Sequence, residues 1–326
     1  MVNVITSAVL FSAVFLYGCL GEILTEKSGH LNLGIPGIMC MGTAGGAYGV
    51  TIVMNAADAA GAEPSYILLL LAALAFGFLF GAAAAAIYGF FTITLRCNQN
   101  ISGLALTTLG SGLAQFVMNG ITADGIQKNN LSKAGTILSR TLPFANDLGL
   151  LGQLFLSYGV LVYIAIVVAI IMGIVLKRTR LGLHLRAVGE NPATADAVGI
   201  NVTAYKYGAV TIGGGIAGLG GMFYLLDYAK GSFENSSTIE GLGWLCIALV
   251  IFVLWKPNVS ILGSILFGLL YLLGYRLGIS EPITQNLFKM LPYVVTIIVL
   301  IVLSIIDTRE NQPPQALGLP YFREER

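Results

Sequence analysis

KRTRLGLHLRAVGENPATADAVGINVTAYK, residues 177–206, is the polar break between two long apolar runs, 150–176 and 207–228. A helix needs roughly 20 mostly apolar residues to cross a bilayer, so this stretch marks two spans and the aqueous loop that joins them. Of the seventeen Lys and Arg residues, Lys177, Arg178, Arg180, Arg186 and Lys206 fall in the loop. By the positive-inside rule, that density places it in the cytoplasm.

The same pattern extends over the chain. Of its 326 residues 56% are hydrophobic and 10% charged, with a mean hydropathy of +0.83, which leaves too little polar surface to cover a water-soluble fold. Apolar segments at 3–20, 36–54, 66–95, 100–118, 150–176, 207–228, 241–255, 258–277 and 284–306 predict an all-α, polytopic transmembrane helical bundle, one domain over residues 1–326. About nine spans are expected, within a range of roughly eight to ten. The 66–95 segment exceeds one bilayer thickness and is expected to tilt or to extend past it. No Lys or Arg precedes the first span and no small-residue cleavage site follows it, so it is expected to be retained. Counting spans from the 177–206 loop places the Arg96 turn inside and residues 119–149 outside. It puts the amino terminus outside and the tail 307–326, with Arg309, Arg323 and Arg326, in the cytoplasm.

Other classes lose ground on composition. A net charge of +1 offers no basic face for nucleic acid. Cys19, Cys40, Cys97 and Cys246 lie within or beside apolar spans without a CxxC pair and read as small buried hydrophobes. His30 and His184 stand far apart in polar turns, so no metal site is expected. Gly213, Gly215 and Gly218 fit GxGxxG, but GAVTIGGGIAGLGG (208–221) is an apolar span with no strand before it, which excludes a dinucleotide loop. Gly214 with Gly218, and Gly42 with Gly46, read instead as GxxxG packing pairs. No GxxxxGK[ST] occurs, so if ATP drives this protein another chain must hydrolyse it. Glu22, Asp227, Glu240, Arg276 and Lys289 fall near span ends, where snorkelling to the interface is expected. With none at mid-span, an ion-coupled carrier is disfavoured.

Within the 177–206 loop the signals of one short helix are legible. Asn191 is a favoured N-cap, Pro192 suits the first helical position and Gly199 suits the left-handed residue past the end. The helix expected from Pro192 to Val198 is two turns, about 10 Å long, too short to persist in water without a docking surface. Ala193 and Ala197 lie one turn apart on a small-residue face, and Arg186, Glu190 and Asp196 stand ready for the rim of a receiving cleft. The plainer reading is a membrane-surface turn whose basic residues meet anionic lipid.

GEILTEKSGHLNLGIPGIMCMGTAGGAYG, residues 21–49, is the second informative region. Asn32, Gly34, Pro36 and Gly37 interrupt an apolar pattern where a span begins, and irregular backbone at membrane depth is tolerated only when protein buries it or it lines a watery cavity. STIEGLGWLCIALVIF, 237–252, echoes it in a span of opposite direction, the pattern of an inverted internal repeat with a transport site at the matched interruptions. Asn32, Gly34, Gly37, Met39, Met41 and Trp244 are the candidate pathway residues, with simple packing the alternative for the two methionines.

GEILTEKSGHLNLGIPGIMCMG (21–42), the LGLHLRAVGENPATADAVGIN loop (181–201) followed by GGGIAGLGG, and PQALGLPYFREER (314–326) together resemble the permease subunits of bacterial ABC importers for nucleosides and simple sugars. These belong to the branched-chain amino acid and ribose permease family. The resemblance covers nearly the whole chain and suggests the shorter of two unequal permeases. It implies that the 191–199 helix is a coupling helix docking on an ATP-binding subunit, with Arg186, Ala187, Gly189, Glu190, Asn191, Pro192, Ala195 and Gly199 matching the family's loop. It implies further partners: a second, longer permease and an extracytoplasmic substrate-binding protein or lipoprotein facing 119–149. ATP and Mg would be bound by the partner ATPase, leaving this chain non-catalytic and without a cofactor. Asn32 and Gly34 match the family's NLG motif, whereas Pro36 stands where relatives commonly carry Glu. Nucleosides lead as cargo, with riboflavin and simple sugars as alternatives. An ion-coupled secondary carrier and a membrane enzyme are the rival classes, and no catalytic cluster supports the latter.

Overall fold

GGGIAGLGG, residues 213–221, places small residues on several faces of one helix, and the bundle is assembled around it. The computed structural model describes residues 2–141, 149–277, 281–306 and 312–322, and every regular element among them is helical. In chain order the helices are α1 Val2–Glu26, α2 Ile35–Ala59, α3 Tyr66–Gly89, α4 Gln99–Ala123, α5 Gly125–Leu138, α6 Gly149–Phe155 and α7 Val160–Arg178. They continue with α8 Arg180–Glu190, α9 Pro192–Ala197, α10 Val202–Phe223, α11 Ser236–Phe252, α12 Pro257–Arg276, α13 Pro282–Lys289 and α14 Leu291–Ile306. Eight stretches among the described residues are long and apolar enough to cross a membrane. The 17-residue helix α11 is apolar but shorter than these.

Lipid tails are as apolar as leucine, so helices in a bilayer associate by close packing rather than by hydrophobic burial. Gly213 lies against the Gly21 carbonyl on α1, Gly218 against Gly42 on α2 and Gly77 and Gly81 on α3, and Gly221 against the Met39 carbonyl. None of these positions has room for a Cβ. Both GxxxG pairs expected from the sequence therefore pack as such: Gly42 meets Gly218, Gly46 meets Met222, and Gly214 meets Ala85.

α1 and α10 run antiparallel at the centre, with Gly21 beside Gly213 and Val14 beside Gly220. Around this pair the packing repeats by exchange. α10 packs on α3 as α1 packs on α12, α2 on α10 as α11 on α1, and α4 on α2 as α14 on α11. This pairing matches the inverted repeat expected from the 21–49 and 237–252 echo. α3 and α10 both close in a single π-helical turn, Phe90–Thr94 and Tyr224–Tyr228.

Several boundaries differ from the sequence reading. The 150–176 segment is two helices, α6 and α7, because Ser157 and Gly159 break the apolar pattern. The 284–306 segment divides at Met290 into α13 and α14, which places Pro292 in the first turn of α14, where its missing N–H breaks no helical bond. Lys206 sits inside α10 at 3% exposure instead of in a solvated loop. Glu22 and Asp227 do not snorkel, being 0% and 2% exposed within the protein. Cys97 is exposed while the other three cysteines are buried.

The two ends of the bundle differ. One gathers α8, α9, the 27–34 loop, the turn at 95–98 and residues 312–322. The other carries α5, whose Asn130 donates to Asp58 at 2.6 Å beyond the end of α2's apolar stretch, and whose Gly135 packs on Lys230 and Gly231. The 177–206 loop and residues 119–141, expected on opposite sides of the membrane, thus lie at opposite ends of the bundle. Residues 142–148 and the tail charges Arg309, Arg323 and Arg326 fall outside the described residues.

If close approach of glycines holds the bundle, Gly42→Leu will cost about 3 kcal/mol or more, the upper range for overpacking a tight site. Gly112→Leu, where nothing lies within 4 Å of an added Cβ, will cost little. Thermal unfolding of both variants in detergent checks the contrast.

Candidate coupling platform and permeation face

The short helix expected in the loop is present and capped as its sequence dictates. Asn191 Oδ1 accepts from Thr194 N at 2.9 Å, Pro192 occupies the first turn, and Gly199 adopts φ +88. Gly199 N donates to Asp196 O and Ile200 N to Ala195 O, both at 3.0 Å, closing the carboxyl end. The helix ends at Ala197, one residue earlier than the spacing suggested. Ala195 faces inward, packed with Val188 and Val202. Ala197 is exposed, Val198 is 72% exposed and Ala193 partly so, leaving a small-residue face turned outward.

The candidate polar groups of the loop divide. Arg186 is exposed. Asp196 accepts from the Tyr321 hydroxyl at 2.9 Å, and Glu190 Oε2 accepts from Gln315 N at 3.4 Å. These two carboxylates thus engage the chain's own 315–322 segment. Ala187 packs against the Val188 cluster. Gly189 lies against the backbone of Lys27 and Gly29, where a Cβ would not fit, and its carbonyl accepts from Ala316 N at 3.0 Å.

Beneath α8 and α9 the 27–34 loop joins the platform to the spans. Gly29 O accepts from Gly318 N at 3.2 Å. Leu31 N donates to Gln99 Oε1 at 2.8 Å, and its carbonyl accepts from the Tyr88 hydroxyl at 2.7 Å. Asn32 N donates to Glu22 Oε1 at 3.1 Å, Asn32 Oδ1 accepts from Gly34 N at 2.9 Å, and Thr107 donates to Leu33 O at 2.8 Å. Trp255 Nε1 donates to Glu26. The buried carboxylates of α1 thus fix the loop and the α11–α12 turn. α9 is connected through short polar contacts to α1, α3 and α4. His30, 1% exposed in this loop, is pushed down to a pKa of about 3 by burial, with the Lys206 charge adding, and is neutral at pH 7.

The interrupted start of α2 is enclosed by neighbouring helices. Asn32, Gly34, Gly37 and Met39 are buried in packing, with Gly37 against Leu106 and Thr107 of α4. Pro36 sits in the first turn of α2 against Gly243 of α11. Only Met41 and Trp244 keep partial exposure.

A polar face that sequence reading passed over lies on α4. Thr108, Ser111, Gln115 and Asn119 recur at helical spacing along one side, all exposed or half-exposed. Gln115 accepts from Ser236 N and donates to Asn119 Oδ1, both at 2.8 Å. Polar side chains on an outward face of a span are costly against lipid unless a partner or water satisfies them. The polar residues recurring at i+3 and i+4 in TTLGSGLAQFVMNG, 107–120, were the available signal.

A family model described as branched-chain amino acid transport system / permease component matches residues 3–300. The chain belongs to this permease family. NupC, a nucleoside ABC transporter permease protein of Lactococcus lactis subsp. cremoris, is 33% identical over 301 residues, covering 91% of this chain and 90% of that one. NupQ of Bacillus subtilis, a guanosine ABC transporter permease protein, is 31% identical over 333 residues, 99% of this chain and 97% of its own. TsgC13 of Haloferax volcanii, a permease protein provisionally assigned to glucose, is 35% identical over 268 residues, 82% and 75%. The permease fold of this chain is an all-α, multi-span membrane bundle.

Replacing the cap tests the local account of α9. Asn191→Ala will cost about 1 kcal/mol of helix stability, raising hydrogen exchange at the amides of residues 194–199 about fivefold while the rest of the bundle is unchanged.

Proposed function

We propose that this permease is one of two membrane subunits of an ATP-driven importer of nucleosides, with α9 as the element that docks on a separate ATP-binding subunit. The observation that carries the reading is the platform. A short, capped helix with an exposed small-residue face is joined, through residues 315–322 and the 27–34 loop, by a chain of hydrogen bonds to α1, α3 and α4. Movement imposed on α9 has a rigid route to the spans, which is what alternating access requires. ATP and Mg bind in the partner, and this chain makes or breaks no covalent bond.

The platform end, carrying Lys27, Arg96, Lys177, Arg178, Arg180 and Arg186, faces the cytoplasm of a bacterial inner membrane, with the amino terminus outside. α5 and the opposite end meet an extracytoplasmic binding protein or lipoprotein. The polar face of α4 meets a second, longer permease across a shared pathway, where water and solute satisfy Thr108, Ser111, Gln115 and Asn119. Likeness to NupC and NupQ supports nucleosides as cargo. Likeness to TsgC13 supports a simple sugar as the second reading.

Purification from native membranes will bring down a P-loop ATPase, and its reproducible absence overturns the reading. Replacing Ala193 and Ala197 together by Trp will abolish transport and the coupling of ATPase activity to it, with insertion intact. Asn119→Leu combined with Thr108→Leu will lower uptake of radiolabelled nucleoside about tenfold or more, roughly 1.4 kcal/mol, without dissociating the ATPase. Unchanged uptake would remove α4 from the pathway.

A further inference from the structure

Beside α9 lies a cavity of about 390 Å³ where the end of α3 approaches the start of α10. His30, Arg96, Asp196, Thr203, Lys206 and Tyr321 supply its polar lining. Lys206 is 3% exposed, and among the described residues no carboxylate or carbonyl pairs with its ammonium, which lies 5.9 Å from the Tyr321 ring centroid. A buried charge without a counter-ion is costly. The adjacent His30 has both ring nitrogens buried without a partner among the described residues.

The cavity is also placed at a helix amino terminus. α10 begins at Val202, and Asn201 caps it by accepting from Ala204 N at 3.0 Å. That cap leaves the amides of Val202 and Thr203, both lining the cavity, at the positive end of a 22-residue helix, where anions bind. Among the described lining residues, Lys206 is positive, Arg96 stacks over the Phe322 ring, Asp196 accepts from Tyr321 and His30 is neutral.

We propose that this cavity is a phosphate-binding site, with the amides at the start of α10, the Lys206 ammonium and the Thr203 hydroxyl as donors to a tetrahedral oxyanion. A carboxylate would use only part of this donor set. The volume exceeds what a bare phosphate fills, so the bound group is an ester. It comes either from a soluble phosphate monoester or from the headgroup of an anionic lipid at the membrane surface. An occupant would bridge the end of α3 to the start of α10 directly behind α9, tying the platform to two spans at once.

The test uses the permease complex purified with its partners, in nanodiscs of purely zwitterionic lipid or of lipid containing phosphatidylglycerol. The soluble probes are inorganic phosphate, glycerol 3-phosphate and adenosine monophosphate, followed by titration calorimetry and by hydrogen exchange at residues 199–206. Binding of a soluble ester in zwitterionic discs, weakened about tenfold or more in Lys206→Met and retained in Lys206→Arg, identifies a soluble ligand. Retention of phosphatidylglycerol in native mass spectra, with the same dependence on Lys206, identifies a headgroup. Thr203→Glu, at an exposed first-turn position where a carboxylate suits the helix, places a competing anion at the mouth. It will abolish either form of binding in a folded protein, even if Lys206→Met fails to assemble. No phosphate-dependent change with any probe or lipid, or binding indifferent to both Lys206→Met and Thr203→Glu, overturns the proposal.

Discussion

The close approach of α10 to α1, α2 and α3 is the contact on which the rest of the fold depends. Backbones meet where Gly213, Gly218 and Gly221 leave no side chain between them, and dispersion at that distance replaces the hydrophobic drive that a bilayer cannot supply. Because α10 also begins at the loop bearing α9, a helix held closely by three neighbours is the one that continues directly from the platform. Under the proposed coupling, rigidity at this position would pass a displacement of α9 on to the bundle.

The platform uses a different kind of bond. Around the 27–34 loop, main-chain groups that cannot form helix are satisfied by Glu22, Gln99, Tyr88 and Thr107. A loop satisfied this fully by side chains from three spans behaves as part of those spans rather than as a flexible connection. The fully buried Glu22 is intelligible in this light, since it accepts a main-chain N–H at a place where water is absent.

Much of this was legible in the sequence, and the reasons are local. Asn191, Pro192 and Gly199 act through their own backbone neighbourhood, so α9 could be read to within a residue. The apolar runs gave the spans because the bilayer imposes a length. What stayed hidden depended on long-range neighbours. Glu22 and Asp227 were assigned to the interface by their nearness along the chain to span ends, and Lys206 to the polar loop, yet tertiary packing encloses all three. Asn32 and Met39 sit at a true interruption, but burial by protein rather than a watery cavity resolves it, and the two outcomes give the same pattern. The α4 polar face escaped because each of its residues is unremarkable alone and only their shared side distinguishes them.

Residues 315–322 hold α8 and the 27–34 loop through Gly189 and Gly29. The loop precedes α2 in the chain, whereas the residues that fasten it follow α14. The platform is therefore completed only after α14 has been made, and a chain interrupted earlier lacks these fastenings. Sequence separation of this size makes closure slow relative to local helix formation. Assembly with an ATP-hydrolysing partner would thereby favour permeases whose membrane bundle is already whole.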